Sequence, residues 1–562
     1  MTENRPAAAE AGFAGALKPA VEVSARTRNE ILFAILLGLF LSALDQTIVG
    51  TALPRIVSDL RGNDLYTWVV TIYLITSTVT GPIYGKLSDL FGRRPMLMIG
   101  VSLFLIGSAL SGLSQEMWQL ILFRGIQGLG AGAIFPISLA VIGDLFTPAE
   151  RGKYQGLFGA VFGVSALIGP ALGGFLTDRI SWHWVFYVNL PVGAITLYII
   201  WRLLPTLKRE GARPTIDYLG AAAFTAGIVP VLIGLTNAQK GDWSDPGVWG
   251  WIAAGLALLA VFVRVEARAK EPIVPLDLFR NRTFSLSMVA VFMASFGFFA
   301  AIIFLPIWFQ VVQGSSATES GYNLLPFLAG LITSSIASGQ IVSRTGRYRW
   351  ITVGALVFVT AGLVLMTNLR ADTPFPALWA WMFVTGLGVG PSLAVFTIVV
   401  QNAVPMKKLG AATSDLTLFR QVGGTVGLTL GFTIFRSGLT EQIPSQLVAA
   451  GVPRQIVADV PPGSFDASQL TSVGGDPMAW LQHVPQQFRP AIEQLVPNFV
   501  QGFHQAISLA IADSFWLGVG AAIVAALATA LLVEVPLRTT FGHEHEGEAH
   551  GARASIPVPT LD

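Results

Sequence analysis

Four ionisable side chains fall inside long apolar runs, where a charge is hardest to keep: Asp45, Arg124, Asp415 and Arg420. Asp45 lies about fifteen residues into a run that opens at Glu30, which puts it about 20 Å deep if the run is helical. An ionised carboxylate at that depth costs several kcal/mol unless it is hydrated, paired or protonated. Such an acid can bind and release a proton as its access to water changes; in the alternative reading, fixed hydrogen bonds hold it as a permanent anion. Arg124 cannot carry the proton, because a guanidinium stays charged under ordinary conditions. It can bias the charge of a nearby acid or hold a water chain, or it can pair structurally within its half. Asp415 and Arg420 are five residues apart, so they need not share a helical face. Asp415 falls in the first turn of its expected helix, where a carboxylate suits the positive helix end; the alternative makes it a second titratable or cation-attracting site.

A second group of residues suggests motion. Gly85, Asp89, Gly92, Arg93 and Arg94 form a tight turn with an acid and two cations, and Asp144 and Arg151 are expected to complete the network. The glycines permit close approach or positive φ, and Asp89 can accept from helix N-termini or from arginines of an opposing element. This reads as a conformational latch. Simple anchoring by positive charge would explain the arginines, but not the spaced glycines and the acid. Gly163, Gly169, Pro170, Gly173 and Gly174, with Gly159, make another run both thin and bendable, since small residues allow close helix packing and proline removes a backbone donor. Tyr73, Gln127, Phe304, Trp308, Gln310 and Gln401 are candidates for lining a cavity, although 36 Phe and 14 Trp are too many to define a pocket by themselves.

Other chemistry finds no support. The chain has no Cys, which excludes a disulfide framework, a thiolate metal site and a thiol nucleophile. The apolar runs hold neither a metal-spaced His cluster nor a Ser/His/Asp arrangement, and there is no Gly-Lys-Ser/Thr phosphate loop. Neither a metal nor a cofactor is expected, and ATP is not expected to drive the protein. His543, Glu544, His545, Glu546 and His550 could pass for a metal tract but read more simply as a solvated tail.

The elements that must position these groups follow from composition. Of 562 residues only 12% are charged and 53% are apolar, against about 25% charged in soluble domains. The apolar residues gather in runs of the length, about 20 residues, that crosses a bilayer core. Fourteen such runs can be marked, at 30–53, 66–86, 95–114, 118–143, 153–176, 184–204, 217–236, 247–266, 284–312, 320–343, 350–369, 376–402, 411–436 and 513–535. Lys and Arg collect after the even-numbered runs, as at Lys86, Arg93, Arg94, Arg151, Lys153, Arg344, Arg347, Lys407 and Lys408. Cytoplasmic loops are enriched in these residues, so both termini are expected in the cytoplasm. The net charge of +2 leaves no basic excess for nucleic acid. Arg264, Glu266 and Glu534, at run ends, are expected to snorkel to the interface.

The chain repeats itself. Gly85-Lys86-Leu87-Ser88-Asp89-Leu90-Phe91-Gly92-Arg93-Arg94 is echoed by Gly339-Gln340-Ile341-Val342-Ser343-Arg344-Thr345-Gly346-Arg347-Tyr348, with Ser343 in place of the acid. Two six-helix halves with an inserted pair between them would give this spacing, a plan known in transporters. The expected organisation is a disordered cytoplasmic tail 1–29, an N-terminal bundle 30–205, inserted helices 7 and 8 within 206–283, a C-terminal bundle 284–535 and a cytoplasmic tail 536–562. Residues 437–512 are expected as an extracellular helical insertion within the second bundle.

Several motifs together resemble the major facilitator superfamily, in particular its fourteen-span drug:proton antiporter branch. They are Leu44-Asp45 through Ala52-Leu53-Pro54, the Gly85–Arg94 loop, Arg124-Gly125 through Gly130-Ala131-Gly132, the Gly163 to Gly174 pattern, and Trp182 through Asn189-Leu190-Pro191. Arg420, Gln421, Gly423 and Gly424 are also similar to the branch, whereas Asp415 is not expected from it. The resemblance implies an all-α polytopic membrane protein with the major facilitator fold, two six-helix bundles plus two inserted helices. It also implies Arg124 in proton coupling, the fifth-helix glycines as an antiporter pattern, and location in the plasma membrane. The function implied is proton-coupled multidrug efflux of hydrophobic or amphipathic compounds by alternating access, with protons, the bilayer and a small apolar substrate as partners. An exporter of lipids or cell-envelope components fits the same fold, with an envelope partner through 437–512. A nutrient importer is disfavoured by the fifth-helix pattern, and an enzyme by the missing constellation.

Overall fold

The computed structural model describes residues 24–60, 65–205, 216–239, 243–458 and 495–537. Residues 1–23 of the expected N-terminal tail, the His543–His550 tract and the middle of the 437–512 insertion lie outside the described residues. Among those described, the chain is helical throughout, without strands. The first half holds α1 (Ala25–Leu60), α2 (Tyr66–Phe91), α3 (Arg93–Ser111), α4 (Met117–Leu145), α5 (Pro148–Arg179), α6 (Trp184–Tyr187) and α7 (Asn189–Leu203). The inserted pair is α8 (Tyr218–Ala238) and α9 (Pro246–Glu266). The second half holds α10 (Arg282–Val311), α11 (Ala317–Asn323), α12 (Leu325–Thr345), α13 (Arg349–Met366), α14 (Phe375–Ala403), α15 (Leu409–Ala449), α16 (Arg454–Ala458) and α17 (Val496–Ala530).

Among the described residues, twelve stretches are long and apolar enough to cross a membrane, with α6 and α7 together making one of them. Adding α2 and α15 brings the helices of spanning length to fourteen. α2 is less apolar because it is rich in hydroxyls, but Thr76 and Thr80 donate to carbonyls one turn back, Ile72 and Thr76, both at 2.8 Å. Such back-bonding hides the hydroxyl inside the helix. Local signals set the ends: Asp217 caps α8 through Gly220 N at 2.7 Å, and Asn281 caps α10 through Thr283 N at 2.9 Å. In α9, Asp245 caps and Pro246 occupies the first turn, where its missing N–H is no loss.

Three boundaries differ from expectation. α1 already begins at Ala25, within the expected tail. α15 runs on to Ala449 rather than ending near 436, and α17 starts at Val496 rather than 513. The reason is a stripe: Leu439, Ile443 and Leu447 recur one turn apart and are buried in one cluster with Phe499, Phe503 and Ile507 of α17. A continuous apolar stripe of this kind favours a continuous helix, so the insertion begins as a prolongation of the bundle. Glu266 and Glu534 do not snorkel. Glu266 is 2% exposed and accepts from Val274 N at 2.5 Å, while Glu534 accepts from Tyr348 N at 2.8 Å at the start of α13.

The halves meet along two seams, α5 against α12 and α14, and α2 and α4 against α15. The pair α8–α9 packs through α8 on both α2 and α15, and a Lys86–Glu271 ion pair at 2.6 Å ties the linker after α9 to α2.

Candidate functional site

Asp45 sits at the centre of the first half, with no exposed surface. Its Oδ2 accepts from Arg124 Nη1 at 2.6 Å, and its Oδ1 from Gln127 Nε2 at 2.8 Å and from Asn189 Nδ2 at 2.9 Å. Arg124 also donates to Gln127 Oε1 at 2.7 Å and lies over the Tyr73 ring, 4.2 Å from its centre. Asn189 is anchored in turn by Ser108 Oγ at 3.0 Å. α1, α4 and α7 thus each supply a donor or the acceptor, and every partner of the carboxylate is a donor. A buried ion pair of this kind is held by such added hydrogen bonds, since desolvation offsets much of the Coulomb attraction.

At the loop end of the bundle, Gly92 takes φ +100° and turns the chain between α2 and α3. Asp89 accepts from Gly410 N at 3.1 Å and Ala411 N at 3.0 Å, the first amides of α15, where helix dipole and orphan donors favour an anion. Arg93 is buried between Asp89 at 2.5 Å and Asp144 at 2.7 Å. Gly85 lies so close to Gly410 and Ser414 that a Cβ there would sit 2.9 Å from Gly410 O. Arg151, expected in the same network, donates to Phe146 O at 2.9 Å and to Gly143 O. It serves the carbonyl end of α4, where cations are favoured. Arg94 is half-buried and makes none of these bonds.

α5 is sandwiched, and its glycines serve two faces. A Cβ on Gly163 would press on Ile332 of α12 at 2.6 Å, whereas one on Gly169 would meet Thr47 Oγ1 at 2.0 Å and one on Gly173 the Ile48 carbonyl at 2.9 Å, both on α1. Pro170 and Gly174 face α11, through Gly321 and Thr318. α5 therefore bears on the helix that carries Asp45 and on the opposite half.

Asp415 is not a helix cap. α15 begins at Leu409 with no acid in its first turn; Asp89 fills that role from the other half. Asp415 is fully buried, and neither carboxylate oxygen has a hydrogen-bond partner. Arg420 faces a small cavity lined by Ser295, Phe298 and Ser392, and its Nη2 is buried without a partner. No bond joins Asp415 to Arg420 among the described residues.

Residues 35–428 match the Major Facilitator Superfamily. This chain belongs to the major facilitator superfamily. It is 36% identical over 548 residues to the multidrug transporter protein MdtP of Bacillus subtilis (strain 168), covering 96% of this chain and 99% of that one. It is 37% identical to multidrug resistance protein 3 of the same organism, over 74% of this chain and 80% of that protein. Among solved structures, a human organic anion transporter aligns with TM-score 0.57 at 16% identity, over 73% of this chain and 94% of that one. A proton:xylose symporter aligns with TM-score 0.54 at 15% identity, over 90% and 95%. The chain is thus a membrane transporter of small molecules with the major facilitator fold.

Within this facilitator the six cavity candidates separate. Tyr73 and Gln127 belong to the Asp45 network. Gln401 joins the halves, donating to Leu139 O at 3.1 Å and accepting from Gln155 at 3.2 Å. Phe304 and Trp308 are buried inside the second half, Trp308 donating to Ser508 at 2.9 Å, and Gln310 is exposed. Asn189 and Gln155 join these networks although neither was a candidate site residue, Asn189 appearing only within the Trp182–Pro191 motif. The signal for Asn189 was present, an amide beside Leu190-Pro191 opening an apolar run. Gln155 offered none.

Proposed function

We propose that this facilitator exports hydrophobic or amphipathic compounds by proton antiport, with Asp45 as the coupling acid. The observation that carries this reading is the buried carboxylate of Asp45, held by three donors from α4 and α7 on the helix against which α5 packs. A proton arriving at Asp45 removes the charge that Arg124, Gln127 and Asn189 hold in common. It thereby loosens α1 against α4 and α7, and α5, packed on both α1 and α12, passes the change to the other half. Asp415, buried, and Arg420, half-buried, have no counter-charge among the described residues and supply a second pair of charges whose hydration changes as the halves rock. The Asp89–Arg93–Asp144 network acts as a latch that holds the loop end shut. We place that end in the cytoplasm, because Lys and Arg collect there, with both termini on the same side of the plasma membrane. The relatives named as multidrug transporters support the substrate class.

The test is transport in proteoliposomes with an imposed pH gradient, following ethidium and an uncharged apolar dye. Gradient-driven movement that disappears in Asp45→Asn is expected; full transport in that variant overturns the assignment. A second reading, export of lipids or cell-envelope components, draws on the prolonged α15–α17 pair beyond the membrane. Removing residues 440–510 separates the two: retained dye transport with lost lipid export would favour the lipid substrate.

A further inference from the structure

At the foot of the inserted pair, two carboxyl groups meet without a cation among the described residues. Asp217, the cap of α8, uses Oδ1 for Gly220 N, and its Oδ2 is buried without a partner. Glu266, the last residue of α9, uses Oε1 for Val274 N, and its Oε2 is likewise buried and unpartnered. Both free oxygens converge over Gly220: a Cβ there would lie 2.2 Å from Asp217 Oδ2 and 2.7 Å from Glu266 Oε2. Any side chain at 220 would fill this gap, so glycine is what lets the two acids approach.

Among the described residues, the surroundings do not neutralise them. On α15 the charged group that feels Glu266 is a third acid, Asp415, itself fully buried and without a donor on either oxygen. From α2, Lys86 reaches this region but is taken by Glu271 at 2.6 Å. On α9 and its linker, Arg264, Arg268 and Lys270 are exposed. Two carboxylates whose buried oxygens converge on one gap cannot both stay ionised without a compensating charge, and a proton placed between facing oxygens turns repulsion into a short O–H···O bond.

We propose that Asp217 and Glu266 bind one proton between them, forming a proton site at the foot of the inserted pair that is separate from the Asp45 network. The step is simple protonation: one carboxylate takes the proton, and the other accepts its hydrogen bond. The site lies where three bodies meet, α8–α9, α2 through the Lys86–Glu271 tether, and α15 through Asp415. Losing the proton sets two anions beside the third acid on α15 and so pushes the inserted pair off the moving half. The site stands whether or not Asp45 carries the coupled proton.

The test is infrared difference spectroscopy of the full-length protein in lipid vesicles, titrated in H2O and D2O, which reads protonated carboxyl groups without requiring transport. A deuterium-sensitive carboxylic acid band at neutral pH is expected, lost in Glu266→Gln and in Asp217→Asn and kept in Asp45→Asn and Asp415→Asn. Asp217→Asn retains an oxygen to cap Gly220, so it reads the site even if Glu266→Gln does not fold. Gly220→Ala, whose Cβ drives the oxygens apart, is expected to shift the band. An unchanged band in both acid variants overturns the proposal. So does displacement of the band by Na+, K+ or Mg2+ at constant pH, which would mark a cation site instead.

Discussion

The two copies of the repeated loop occupy equivalent places in the two halves and join them by different means. In the first copy, Asp89 accepts two amides at the start of α15, and Arg93, with 5% of its side chain exposed, binds Asp89 and Asp144. In the second copy Ser343 replaces the acid and Arg347 is exposed. There the two helices touch backbone on backbone at Gly339, where a Cβ would lie only 2.0 Å from Gly152 O of α5. Both copies keep their turn glycine in the left-handed region, Gly92 at φ +100° and Gly346 at φ +69°. The difference follows from the helix each loop faces. α15 starts with no side-chain cap of its own, so its first amides need an outside acceptor. α5 starts with Thr147-Pro148-Ala149-Glu150, in which Glu150 accepts from Thr147 N at 3.0 Å and Pro148 has no amide to satisfy. An acid sits in the loop where the opposing helix lacks its own cap.

If this comparison is right, substitutions should rank accordingly, read by the distance between spin labels placed across the two seams and by dye transport. Asp89→Asn is expected to have the largest effect, about 3–5 kcal/mol, because it leaves Arg93 buried with one partner fewer; the α2–α15 seam opens and transport falls at least tenfold. Gly339→Ala comes next, about 1–3 kcal/mol by overpacking against rigid backbone, and it opens the α5–α12 seam instead. Thr147→Ala, which weakens the local cap of α5, should cost about 0.5–2 kcal/mol of stability in thermal unfolding, without opening the first seam. Arg347→Ala is expected within about 0.5 kcal/mol of the parent, as for an ordinary surface site. An Arg347→Ala effect as large as that of Arg93→Ala would break the distinction between the copies.

Much of this was legible in the chain. Composition and run length revealed the spanning helices, because a bilayer imposes a length on every crossing. The loop copies and the glycine run of α5 were legible because backbone approach demands glycine whatever the partner. Pairing was not. Asp45 and Arg124 stood out singly, but their contact spans 79 residues of chain and depends on how α1 and α4 pack. Asp415 was misplaced as a cap because its helix starts at Leu409, and the acid that fills that role comes from the other half. Glu266 looked like a snorkelling end residue, since nothing local reveals that the linker folds back to give it Val274 N. The prolonged α15 was missed because Leu439, Ile443 and Leu447 form a stripe diluted by polar neighbours.

The length of α15 has a mechanical meaning. Its 41 residues reach roughly 60 Å, about twice the thickness of the hydrocarbon core. α17 stiffens the far portion, where Gly502 lies against the Gln446 carbonyl, 2.9 Å from a Cβ at that position. One end is clamped by Asp89 beside the first loop, and the helix is long enough to carry the other past the hydrocarbon core. The pair is a lever arm: a rotation of about 15° of the second half, of the size seen in other rigid-body switches, would sweep its tip through about 15 Å. Small adjustments at the clamp are thereby magnified into a displacement that a fluorophore at Ala450 would register.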